Sequence, residues 1–141
     1  MKSRSPVNAA ALLMVATAAL VGAWGAAPRH AQAAAPVPAA RLPAGNPVAG
    51  RMLYQACSGC HSLDENDVGP KHRGVVGRKA GAVADYAYSA VIRKSGIVWT
   101  PANLDRWLTN PQKLVPGSKM YFSVANPKQR ADIIAYLAQQ H

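Results

Sequence analysis

Cysteine is nearly absent from this chain: only Cys57 and Cys60 occur among 141 residues. A structural zinc site needs four ligands, and no second Cys-x-x-Cys pair exists to supply them. A disulfide between two residues this close would close a tiny loop and stabilise little. Acidic residues are scarce as well, six against sixteen Lys and Arg, which gives a formal charge of +10. The imbalance points to anionic partners. The recognition motifs and aromatic-basic repeats of nucleic-acid-binding chains are missing, so a nucleic-acid partner is not expected. Sustained two-residue alternation is missing too, and no stretch reads as a β-strand.

The amino terminus carries a different signal. Lys2 and Arg4 precede an apolar, alanine-rich run from Val7 to Ala27, and Ala31-Gln32-Ala33 places small residues where a signal peptidase reads them. Residues 1–33 therefore read as a cleavable export signal, and the competing reading is an uncleaved membrane anchor, because the run approaches a bilayer span. Residues 34–45, rich in Ala and Pro, read as a flexible lead-in, and 46–141 as one domain. Lys2, Arg4 and Arg29 precede the cut and every acidic residue follows it, so thirteen basic and six acidic residues remain, a charge of +7.

Cys57-Ser58-Gly59-Cys60-His61 is the stretch with chemistry in its spacing. Two thiols separated by two residues and followed by histidine are the pattern of covalent haem attachment. Each thiol adds to one porphyrin vinyl group, and the double anchorage swings His61 beneath the iron as the proximal ligand. A thioredoxin-like redox pair would need a preceding strand, whereas Gly50 to Ala56 reads as helix. Removing Trp24 with the leader leaves eight aromatic residues, so a buried porphyrin would form part of the core. The apoprotein is expected to fold poorly.

Asn46-Pro47 opens a helix running to about Ala56. Leu63 to Ala87 is polar and glycine-punctuated, a loop long enough to wrap a ligand. Ser89 to Lys94 is a short helical candidate. Thr100-Pro101 opens a helix to Thr109 with Leu104, Trp107 and Leu108 at helical spacing. Asn110-Pro111 ends it and starts one further turn. Asn126-Pro127 opens a last helix whose Ile133, Ile134 and Leu137 face is expected to pack on Leu53 and Tyr54.

From Gly50 onward the chain resembles the class I c-type cytochromes, near mitochondrial cytochrome c and bacterial cytochrome c2. The matching blocks, in family order, are Cys57 to His61, Gly69-Pro70, Gly77-Arg78-Lys79-Ala80-Gly81, Gly96-Ile97-Val98-Trp99, Asn110-Pro111, Pro116-Gly117-Ser118-Lys119-Met120 and Ile134-Ala135-Tyr136-Leu137. The resemblance implies the all-α cytochrome c fold, three main helices plus short helices and long loops around one haem c. It implies Met120 as the second axial ligand. Elimination agrees: Met1 and Met14 leave with the signal, and Met52 lies on the helix leading into the attachment site. By the same resemblance the Pro70 carbonyl accepts from the free ring N–H of His61. Arg78, Tyr88 and Trp99, joined by Ser118, match positions that bind a buried propionate, with plain core packing the competing reading for Tyr88 and Trp99. Trp107 stands where the mitochondrial family usually has a tyrosine bonded to the methionine sulfur, and an indole donates but cannot accept. Ile92 stands where an asparagine is usual in the internal polar network.

With both axial positions filled, no small-molecule substrate is expected at iron. The expected function is one-electron transfer in the periplasm by a monomeric carrier. Lys71, Arg73, Lys79, Lys113 and Lys119 are read as a docking ring for acidic redox partners, against a generic basic surface. His72 and His141 are expected to be solvent-exposed. A dedicated cytochrome subunit of a periplasmic dehydrogenase is the alternative. A peroxidase-like enzyme is weaker, because no distal acid-base histidine is identified and His72 is only a weak candidate.

Overall fold

Four helices begin the same way, with a polar cap residue followed by proline. The computed structural model describes residues 42–141, so the expected signal 1–33 and residues 34–41 of the expected linker lie outside the described residues. Helix α1 spans Pro47–Leu53, α2 Ala90–Lys94, α3 Pro101–Thr109, α4 Pro111–Leu114 and α5 Pro127–Leu137. The side chains of Asn46, Asn110 and Asn126 accept first-turn N–H groups of α1, α4 and α5, and Thr100 does the same for α3. Each such cap is worth about 1 kcal/mol, and the proline at N1 costs no hydrogen bond there.

The first helix ends earlier than the sequence suggested. Its continuation tightens into a 3-10 turn over Tyr54–Ala56 that delivers Cys57 and the attachment loop. Ser89 lies just outside α2, as its N-cap residue, and its hydroxyl makes no capping bond. Among the described residues there is no strand, only an isolated bridge between Lys79 and Val98. Around that bridge Gly77 donates to Trp99 O at 3.0 Å and Ala80 to Ile97 O at 2.8 Å, which pins the wrapping loop to the segment before α3.

Helices α1 and α5 cross at close range. A Cβ on Gly50 would lie 1.9 Å from the carbonyl oxygen of Asp132. In an open helix Ala is better than Gly by about 1 kcal/mol, but here the facing backbone reverses that preference. Tyr54, Leu104, Leu108, Ile133, Ile134 and Leu137 form the core these helices share, with Leu53 packed against it, as expected. Arg130 ties the layers together from within: it is buried, its Nε donates to Asp105 of α3 at 2.6 Å, and its Nη1 to the carbonyls of Val124 and Ala125 at 2.9 and 2.8 Å. A second, smaller cluster of Ala80, Ile92 and Val115 packs against Trp99 and Trp107. Ile92 thus joins an apolar cluster on one side and lines a cleft on the other.

Candidate haem site

Between these clusters lies a cleft of about 360 Å³, and all ten expected site residues line it: Cys57, Cys60, His61, Pro70, Arg78, Tyr88, Trp99, Trp107, Ser118 and Met120. Their arrangement follows from local bonding. The N–H groups of Cys60 and His61 both donate to Cys57 O, a turn that puts the two cysteines and the histidine on one short arc. Both thiols are free. Burial pushes the Cys57 thiol up, with Cys60 adding to the rise, the reverse of what a reactive redox cysteine needs. No group of three or more His, Cys, Asp or Glu side chains that could hold a metal ion exists among the described residues.

His61 is prepared as a ligand by its surroundings. Its Nδ1 lies 2.7 Å from Pro70 O, and a carbonyl can only accept, so Nδ1 carries the proton and Nε2 keeps a free lone pair. Burial lowers the imidazole pKa, against the opposing pull of the Pro70 bond and Asp67, which favours the neutral ring that can bind metal. Gly69 is required beside it: a Cβ there would lie 2.1 Å from His61 Cε1 and 2.5 Å from each ring nitrogen.

Met120 is half-buried, and the indole Nε1–H of Trp107 donates to its sulfur at 3.1 Å. A thioether has two lone pairs, so one remains for a metal. Gln112 braces the loop that carries it. Its Nε2 donates to Ser118 O at 2.8 Å, Ser118 Oγ at 2.9 Å and Met120 O at 2.8 Å, while Oε1 accepts from Gly117 N at 3.1 Å.

The remaining polar lining suits an anionic guest. Arg78 is half-buried and donates to the carbonyls of Arg73 and Lys71 at 2.9 and 2.6 Å, without a carboxylate partner. Burial lowers its pKa and raises that of Tyr88. Ser89 Oγ, in the same lining, is buried with no hydrogen-bond partner. A buried orphan hydroxyl needs an explanation, and a cleft holding Arg78 and Lys119 but no Asp or Glu leaves its donors for a group that brings its own carboxylates. The residues therefore fit a haem with buried propionate.

Some sequence expectations need correcting here. His72 is not solvent-exposed: it is half-buried, its ring stacks on His61 with centroids 4.0 Å apart and planes 18° apart, and burial beside His61 and Arg78 lowers its pKa to about 3. It stacks on His61, the expected proximal ligand, and so is no distal base. Arg73 is committed rather than free in the basic ring, since Nη2 donates to Asp64 Oδ2 at 3.0 Å and Nε pairs with the other oxygen. Lys71 is half-buried, whereas Lys79, Lys113, Lys119 and His141 are exposed as expected. The sequence reading missed Ser89 and Gln112. A Ser at a helix start looks like a cap, and a Gln among lysines looks like surface.

A helical shell around one cleft, lined by paired thiols, a neutral imidazole and a thioether, defines a class of proteins that hold haem by covalent attachment. The chain belongs to the cytochrome c family, whose model, described as "Cytochrome c", matches residues 47–141. It is 50% identical over 99 residues to cytochrome c2 of Rhodopila globiformis, covering 67% of this chain and 93% of that protein. It is 44% identical over 102 residues to cytochrome c2 of Rhodomicrobium vannielii, covering 70% and 82%. The solved structure of cytochrome cH from Methylobacterium extorquens aligns with a TM-score of 0.65 and 47% identity, covering 67% of this chain and 98% of that one. The protein is thus a class I c-type cytochrome with the cytochrome c fold and one haem c, an electron-transfer protein rather than an enzyme.

Proposed function

We propose that this chain is an exported, periplasmic one-electron carrier whose iron is held by His61 and Met120. In this reading residues 1–33 are the removed signal, 34–45 a tether and 46–141 the working domain. The haem supplies Fe(II)/Fe(III) cycling, and the protein's part is to keep both ligands fixed while it happens. His61 offers Nε2 because Pro70 holds its other proton. The sulfur of Met120, soft and further depleted by the Trp107 N–H, favours the ferrous state and so a higher potential. Both side chains are braced, so they would keep their positions as a bound haem changes oxidation state, and with both engaged they would leave no place for a substrate.

The observation that carries the proposal is the shared cleft lined by His61 and Met120, each with its non-ligating side already engaged. Its test is the visible and near-infrared spectrum of the ferric protein with and without Met120→Ala. The substitution is expected to abolish the sulfur-to-iron band and lower the reduction potential. An unchanged spectrum would reject Met120 as the ligand.

A further inference from the structure

A histidine and a tyrosine meet behind His61, and neither is needed to bind haem or to hold the Pro70 bond. The Pro70 carbonyl holds the edge of the His61 ring, but a single hydrogen bond at 2.7 Å leaves the imidazole free to swing about the N–H···O axis. The two faces of the ring supply what that bond lacks. The Cβ that Gly69 lacks would lie 2.1 Å from Cε1 and only 2.5 Å from each nitrogen, closer to the nitrogens than any position beyond the Cε1 edge in the ring plane allows, which places it over the face of the ring. The Gly69 backbone therefore covers one face. The His72 ring is too close and too nearly parallel to share that face, so it covers the other. His72 is itself held, since its Nδ1 shares a 3.2 Å hydrogen bond with the hydroxyl of Tyr54, and Tyr54 is anchored in the core against Tyr136, ring centroids 5.3 Å apart.

We propose that His72, fixed by the Tyr54 hydroxyl, is a positioning residue that sets the rotation of the His61 imidazole and thereby tunes the haem iron. An aliphatic side chain of similar size would fill the space but would rotate and present no flat surface. Stacking between two imidazoles has an orientation, and the tyrosine gives that orientation a fixed reference in the helix core. The link runs from Tyr54 at the end of the first helix to the ligand without passing through the backbone of the attachment loop.

The proposal rests on His61 being a ligand of a bound haem, and its test separates the two. In holoprotein from a host that attaches haem, His72→Leu, His72→Phe and Tyr54→Phe are compared with wild type. The readouts are the pattern of paramagnetically shifted haem-methyl proton signals of the ferric form, which follows the direction of the axial imidazole plane, and the reduction potential. His72→Leu is expected to reorder or compress the methyl pattern and shift the potential. His72→Phe, which keeps a flat stacking ring, should recover most of the wild-type pattern. Tyr54→Phe, which removes one oxygen, should give a smaller change in the direction of His72→Leu. Retained haem and a low-spin spectrum in every variant show that the ligand reading stands. A purely structural role would lower the denaturation midpoint and leave the methyl pattern alone, and that result in His72→Leu overturns the proposal. If His72→Leu fails to load haem, Tyr54→Phe decides: a shifted pattern supports the proposal and an unchanged one overturns it. A wild-type spectrum that is not low-spin would instead count against the His61 and Met120 ligand pair on which the proposal rests.

Discussion

At the scale of single residues, Gln112 carries a larger share of the site than its type suggests. Its two Nε2 hydrogens are shared among three acceptors of the 117–120 loop and its Oε1 accepts from Gly117, three full bonds at most, so it holds Met120 from behind. A net hydrogen bond is worth about 1 kcal/mol, which would bound the loss of three at about a hundredfold in loop opening. Water reaches the half-buried amide and replaces part of that, leaving about tenfold. Gln112→Ala should therefore let added imidazole or cyanide reach ferric iron about tenfold faster than in wild type, measured by stopped-flow absorbance. Equal rates would show that the loop is held by something else. The residue scale also shows what the sequence could tell. Covalent attachment is written in five consecutive residues because thioether chemistry fixes their spacing, and the Pro70 bond follows from a matched block. Gln112, Ser89 and His72 were not legible, since each acts through side-chain contacts made only after the chain has closed around the cleft.

At the scale of elements, helix boundaries were readable because a cap and a proline state them locally. The crossing of α1 and α5 was readable only in part. The apolar face of α5 pointed to Leu53 and Tyr54, but the polar clasp at the other end of the crossing did not show in any periodicity. There the N–H of Asn46 donates to buried Asp132 Oδ1 at 2.6 Å, and Lys128 pairs with the same oxygen. The Asn46 bond, with Lys128 second, holds the Asp132 carboxyl below the usual carboxylate range. The folded chain then binds fewer protons than the unfolded one in acid, so stability rises with pH there. The contribution of Asp132 is complete above about pH 4, the unfolded value, and is lost as pH falls through the depressed folded value. Asp132→Asn should unfold at lower denaturant than wild type at pH 7, and the gap should close as pH drops below about 4. A gap independent of pH would remove the clasp from the account.

At the scale of the whole molecule, the surplus of positive charge, +10 over the full chain, favours acidic partners. No helix among the described residues is long and apolar enough to cross a membrane. Within the expected docking ring, Lys79, Lys113 and Lys119 are exposed and form no ion pair among the described residues, while Arg73 is paired with Asp64. Lys113→Glu with Lys119→Glu is therefore expected to slow oxidation by an acidic redox partner about tenfold at low salt. The difference should shrink as ionic strength rises, and Arg73→Ala should matter much less. Equal rates for the double variant and wild type would show that docking does not use this edge.

The account stands on a porphyrin bonded to Cys57 and Cys60 with its iron gripped by this chain's own side chains. Intact mass of the protein purified from a host competent in haem attachment tests this most directly. The predicted result is the mass of the processed polypeptide plus one haem, retained under denaturing conditions. A colourless protein with the mass of the bare polypeptide would contradict it.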